Sequence, residues 1–419
     1  MFDNDFWQEV LQTIRKQKVR SLMTAFGVFW GLLMLMFLIG AGMGFSGGIA
    51  AQMKSMPSNT VGYHADMTTI AYDGLDRGRK WKITDADISA INSSFPGAIH
   101  AKILVVEVPS KGQLQRVASE PYTDMMAVVG VSESYNLLSP LRILEGRFIS
   151  KFDVVESRKV CVLGENEADK LFPGQSAVGK EVHLGGFTCQ VVGVMRKTSP
   201  LINIGPDESE SLYLPITTAQ LLYNRVGEQD KAFFVLNDEY QSGEYYKQIG
   251  AVFRQRHSIS PSDETALTEL DLKDVMNQVE IMSSGINSLV WLVGLGTLLA
   301  GLIGIANIMM VTVKERTQEI GVRRALGAQP STIIRQIMCE SLVLTLAAGI
   351  VGIIVGCWGL YLVSSSVSTQ EGSMFSNPYV PFTAAISALT ILVLGGLFAG
   401  WLPAKRALSI KAIDALREE

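Results

Sequence analysis

Residues 174–181 read GQSAVGKE: two glycines five apart and then lysine, the spacing of a phosphate-binding P-loop up to its last position. A P-loop wraps phosphates in backbone N–H groups, sets its lysine against their charge and places a Ser or Thr hydroxyl on Mg²⁺. Here the hydroxyl position is Glu181, whose carboxylate would press negative charge against the phosphates. P-loops also follow a strand and open a helix. This stretch instead follows ENEADKLFP, a short helix ended by Pro173. It leads into EVHLGGFTCQVVGV, whose alternation around Gly-Gly predicts a hairpin. The order helix, loop, hairpin describes a glycine-containing turn. A second decoy, GMGFSG at 42–47, has the G-x-G-x-x-G spacing without the preceding strand and following helix that a dinucleotide site needs.

Other chemistry-bearing residues do not converge. His64, His100, His183 and His257 lack the spacing of zinc ligands, and neither G-x-S-x-G nor H-E-x-x-H occurs. Cys339 and Cys357 fall in an apolar run and read as packing residues. Cys161 and Cys189 lie in predicted strands, where a disulfide or two buried thiols are both open. No catalytic, cofactor-binding or metal-binding residues are expected, and a net charge of −4 gives nucleic acid no basic face.

The elements that position these residues follow from hydropathy. The chain has 419 residues, 48% hydrophobic and 18% charged, against roughly 25% charged in soluble domains. Apolar runs at 21–45, 286–313, 337–363 and 382–402 are each long enough to cross a hydrocarbon layer of roughly 30 Å. The first run is longer than a signal-peptide core, which predicts a retained anchor. Arg15, Lys16, Lys18 and Arg20 precede it; Lys314, Arg316, Arg323, Arg324 and Arg335 separate the second and third; Lys405, Arg406, Lys411 and Arg417 follow the fourth. The positive-inside rule makes these flanks cytoplasmic, both termini included. The outer loop at 364–381 carries no Lys or Arg. Residues 46–285 then lie on the outer face, out of reach of ATP, and the P-loop look-alike is among them.

The outer region mixes strand-like runs (AKILVVEV, RKVCVLG, KAFFVLN) with an amphipathic helix, GEYYKQIGAVFRQR. The fold class expected is an α-helical membrane protein with four transmembrane helices and a large α+β extracytoplasmic domain between the first two. That domain has room for two lobes, one of them small, β-rich and near 131–199.

Residues 1–20 place Phe2, Phe6, Val10, Leu11 and Ile14 on one stripe with a basic end, the pattern of a cytoplasmic interfacial helix. Residues 314–336 read as a short charged helix stopped by Gly327, with Pro330 opening the next. Glu319 and Arg323 are four apart in the favourable order, Arg316 shares their side and Ile320 faces inward. By spacing alone, this is either a rigid connector that transmits force or an ordinary charged loop. Glu340, near the inner end of the third span, is the clear acid within the spans, placed to pair with Arg335 or to snorkel. Gly27/Gly31, Gly352/Gly356 and Gly396/Gly400 have small-xxx-small spacing suited to helix packing in lipid.

The run NIMMVTVKERTQEIGVRRALGAQPSTIIRQIMCES resembles the segment shared by the FtsX/MacB superfamily of ABC-transporter permeases, through Asn307, Ile308, Met309, Glu315, Arg316, Thr317, Glu319, Ile320, Gly321, Arg323, Ala325, Gly327 and Ala328. PAKRALSIKAIDALRE resembles the family's ending, with Ala412 where proline is usual, and LFPGQSAVGKEVHLGG resembles part of its small periplasmic lobe. The resemblance implies a MacB-like permease of the inner membrane that lacks a fused ATPase and works as a dimer, homodimer or related heterodimer. The first two spans of each protomer would form the seam. ATP and Mg²⁺ would sit on separate cytoplasmic ATPase subunits, and a membrane-fusion adaptor with an outer-membrane channel would serve efflux. It makes Glu315, Arg316, Glu319, Ile320, Arg323 and Arg324 the expected ATPase-coupling residues. Lipoprotein release and FtsX-like regulation of a cell-wall hydrolase are the alternatives within the family. A receptor or channel would need an inner signalling domain or a charged pore lining, and the sequence displays neither.

Overall fold

Four helices carry the apolar runs: Lys18–Met53, Leu272–Glu315, Pro330–Val367 and Phe382–Ser409. The structure is a computed structural model that describes residues 18–53, 56–108, 113–138, 141–197, 206–327, 329–367 and 378–409. Nearly all of the expected interfacial helix over 1–20, the middle of the outer loop and the last ten residues lie outside the described residues. The chain divides into two units, one holding the long helices from Met282 on together with the residues up to Gly48, the other built on Ile49–Ile281.

The helical unit owes its form to the absence of water partners in lipid, which forces backbone polar groups into intrahelical hydrogen bonds. Each long helix contains a stretch long and apolar enough to cross a membrane. Many large apolar side chains face outward, among them Leu292, Ile354, Trp358 and Phe398. The inward residues recur every three or four positions: Val28, Leu32, Leu35, Met36 and Ile39 of the first helix meet Leu298, Leu302, Ile305 and Met309 of the second. Small residues set the approach distances. A Cβ added at Gly31 would lie 3.0 Å from the Thr297 carbonyl oxygen, and Gly27 faces Gly301. Gly352 and Gly356 approach Phe29 and Met36 of the first helix, while Gly396 and Gly400 approach Thr345 and Ser341 of the third. The Ser341 hydroxyl also donates to the Gly396 carbonyl at 3.1 Å, an interhelical bond of the kind that joins spans in lipid.

Among its described residues the second unit contains thirteen strands: β1 Thr60–Ala65, β2 Ile83–Thr84, β3 Ile99–Val108, β4 Gln115–Ser119, β5 Tyr122–Val131, β6 Leu141–Gly146, β7 Val160–Gly164, β8 Glu181–Leu184, β9 Phe187–Lys197, β10 Ser211–Pro215, β11 Glu228–Gln229, β12 Lys231–Leu236 and β13 Leu267–Asp271. An antiparallel sheet in the order β5-β3-β12-β1-β13 forms one part. Helices Asp85–Ser94 and Ser242–Arg256 contribute Ile88, Ile91, Ile249 and Phe253 to a cluster with its Val61, Tyr63 and Phe234. In the other part the pairings β5-β4-β8-β9-β7-β10 return to β5, which closes a six-stranded ring. All six strands send residues to one apolar cluster, including Val117, Val128, Leu163, Val182, Val191 and Leu212. Closure leaves these strands without the free edges that invite mispairing.

The P-loop look-alike lies in the loop between helix Glu165–Leu171 and β8, with positive φ at Gly174 and Gly179. Its lysine, Lys180, contacts Gln175 and sits 5.0 Å over the Phe172 ring. The Gly-Gly turn is Gly185-Gly186, between β8 and β9. Cys161 and Cys189 sit buried in the ring as free thiols, and burial together with the neighbouring thiol pushes Cys161 well above its ordinary pKa. No cluster of three or more potential metal ligands occurs among the described residues.

Two backbones cross tightly where β6 meets β9: a Cβ at Gly193 would lie 2.2 Å from the Arg147 carbonyl oxygen, whereas one at Gly186 would meet nothing. Gly193→Ala is expected to destabilise the protein by about 1–3 kcal/mol through this overpacking, and Gly186→Ala by less than about 0.5 kcal/mol. Denaturant titrations of the two variants measure the contrast.

Candidate functional site

The candidate site lies at the junction of the second and third long helices. The second helix ends at Glu315, and Arg316, with φ −94° and ψ 15°, interrupts it before helix Thr317–Ala325 begins. The interruption is a bend rather than a loop: the Arg316 N–H still donates to Thr312 O at 3.1 Å and the Ile320 N–H to Arg316 O at 2.9 Å. Thr317 Oγ1 donates to Lys314 O at 2.6 Å. At the far end Gly327 takes φ +92° and its N–H donates to Arg324 O at 3.1 Å, a left-handed C-terminal stop that glycine adopts without strain. Pro330 then opens the third long helix at a position where a missing N–H costs nothing.

Among the described residues, three side chains hold the short helix down. Ile320, 9% exposed, belongs to the cluster containing Met309, Val313, Ile333 and Ile337. Arg323 bonds Glu319 Oε1 on its own helix at 2.8 Å and Gln336 Oε1 on the third helix at 3.2 Å. Arg316 lies 3.5 Å from Glu340 Oε2, a carboxylate only 7% exposed. Glu340 therefore pairs neither with Arg335 nor with solvent, the two partners its sequence position offered. Arg335 stands five residues before it, off its face of the helix, while the bend at Arg316 brings a guanidinium over it. Losing that partner would leave a charge uncompensated in a low-dielectric setting.

The residues expected to couple thus divide by direction. Ile320 is buried, Arg316 and Arg323 are half-buried in pairs within the chain, Arg324 is half-buried, and Glu315 and Glu319 are exposed. On the outward side stand two apolar side chains four residues apart, Val322 at 44% and Leu326 at 83% exposure. The sequence reading passed over these two, along with Gln336. The apolar residues of this segment fall on opposite faces, Ile320 inward and Val322 with Leu326 outward, and that split is the signal that would have found them.

Residues 21–252 match the family described as the MacB-like periplasmic core domain, and residues 291–412 match the FtsX-like permease C-terminal family. The chain belongs to this MacB/FtsX-like family of ABC transporter permeases, as its motifs led one to expect. Among its relatives are proteins named macrolide export ATP-binding/permease protein MacB. The Chlorobaculum tepidum protein is 28% identical over 99% of this chain and 61% of its own length. The Chromobacterium violaceum protein is 27% identical over 96% and 59%. The chain thus spans about three-fifths of the length of these relatives. The periplasmic region of MacB from Actinobacillus actinomycetemcomitans is similar at 15% identity and a TM-score of 0.43, over 55% of this chain and 97% of that one. Four candidate membrane helices with a large α/β domain of periplasmic type between the first two make this a multi-pass membrane protein.

Arg316→Leu strands the Glu340 carboxylate and is expected to cost on the order of 3 kcal/mol, most of it recovered in the double variant Arg316→Leu/Glu340→Leu. Melting in detergent micelles compares the three proteins.

Proposed function

We propose that the protein is the membrane subunit of an ABC exporter that carries ATPase-driven motion across the bilayer to its outer domain. The observation that supports this reading is the short helix Thr317–Ala325, clamped through Ile320, Arg323 and Arg316 yet presenting Val322 and Leu326 outward. A segment bonded in this way cannot be pushed without moving the long helices that continue it. Exposed apolar residues beside charges suit a protein partner, whose docking would bury them.

In this reading the positive flanks place the short helix and both termini in the cytoplasm of an inner-membrane protein. ATP and Mg²⁺ would sit on an ATPase partner, as the ABC-transporter permease family implies. The chain itself is non-catalytic. A second protomer, identical or related, would cover the groove between the first two long helices, where Phe26 and Trp30 stand 58% and 48% exposed beside Gly304 and Ile308. The breadth of the outer domain favours export with an adaptor and outer-membrane channel over hydrolase regulation or lipoprotein release. Macrolides, named for the relatives, are the first substrates to test.

Leu326→Glu and Glu319→Arg are expected to insert normally and to weaken ATPase association roughly tenfold or more, with loss of macrolide transport in proteoliposomes containing both subunits. Transport and association unchanged in both variants would refute the coupling role.

A further inference from the structure

A cavity of about 550 Å³ opens between the second and fourth long helices, apart from the clamp around Ile320. Asn307, Met310 and Lys314 line it from one face of the second helix, at spacings of three, four and seven residues; Pro403 and Arg406 line it from the fourth. Thr317 closes its charged end, and among the described residues the lining contains two cations and no carboxylate. Arg406 Nη1 contacts Met310 Sδ at 2.8 Å, which ties the guanidinium to the mouth of the cavity. Neighbouring residues of the fourth helix give its depth: Trp401 is exposed, and Lys405 Nζ lies 5.3 Å over its ring. A tryptophan paired with lysine in the last turns of a span suits the headgroup level of a bilayer. Asn307 sits about 10 Å further along the axis from Lys314, exposed, and its amide has no hydrogen-bond partner among the described residues. An amide on a membrane span without a partner is costly in hydrocarbon.

We infer that this cavity is a binding site for a phospholipid with an anionic headgroup. The headgroup phosphate lies between Lys314 and Arg406, the Asn307 amide donates to the ester region below it, and an acyl chain follows Met310 and Val311. The volume falls within the roughly 300–1,000 Å³ of small-ligand sites, and basic pockets between spans are suited to anionic headgroups. Met310 and Val311 belong with acyl chain, and they set a lipid apart from a free anion, which would have no use for them. The site needs only that the long helices span a bilayer; it does not depend on the ATPase-coupling reading.

Photoactivatable phosphatidylglycerol and phosphatidylcholine, supplied at equal mole fraction to the full chain in nanodiscs, test the site, with crosslinks mapped by mass spectrometry. Phosphatidylglycerol is expected to label residues 307–317 and 401–406 roughly tenfold more than phosphatidylcholine. Lys314→Gln/Arg406→Gln abolishes the preference, and Lys314→Arg/Arg406→Lys keeps it, which separates lost charge from misfolding. Asn307→Leu lowers labelling by both lipids roughly threefold, and excess inorganic phosphate changes nothing. Equal labelling by the two lipids, a preference that survives in the glutamine pair, or displacement by inorganic phosphate would overturn the site; full labelling of Asn307→Leu would remove the amide from it.

Discussion

Arg316 and Glu340 are the pair on which the inner end of the helical unit turns. A carboxylate on a membrane-spanning helix is expensive wherever it lies, and the expense falls only when a cation meets it. The bend at Arg316 supplies that cation and in the same stroke fixes the direction of the next helix. Ile320 then drops into the apolar cluster below, and Arg323 reaches Gln336. A charged segment that would otherwise be a solvated loop becomes a short helix pinned on one face, with Val322 and Leu326 exposed on the other.

The same economy of contact governs the long helices. Lipid offers no hydrophobic gain for helix association, so close approach through Gly31, Gly352 and Gly396 and the Ser341 hydrogen bond take its place. Side chains that face outward from these helices, such as Trp358 and Phe398, are acceptable for the same reason. In the second unit, whose strands have water available, stability takes the ordinary form: apolar clusters on both sides of a sheet, and a ring that closes upon itself.

Much of this is legible in the sequence because its causes are local. Twenty apolar residues in succession announce a span, and Gly327 followed by Pro330 announces a stop and a start. The neighbours of the GQSAVGKE stretch predict a loop between a helix and a hairpin, and that loop is what the fold contains. Spacing left open whether residues 314–336 are a rigid connector or a charged loop, since the two have the same composition; the structure places a short helix there. Less was legible where contacts join distant residues. The ring depends on β10 pairing with both β7 and β5, across gaps of dozens of residues, and alternation within a strand does not name its neighbour.

Sequence by itself determined the spans, the α+β character of the intervening domain, the family and the position of the short charged helix, because hydropathy, helix stops and motif spacing act along the chain. Tertiary structure alone decided that Glu340 answers to Arg316, that Ile320 points inward while Val322 and Leu326 point outward, and that Lys314, Arg406 and Asn307 share one cavity. Those outcomes depend on which faces of separate helices are brought together, and a face is chosen by the burial and pairing energy of the whole assembly, to which no single stretch of residues has access.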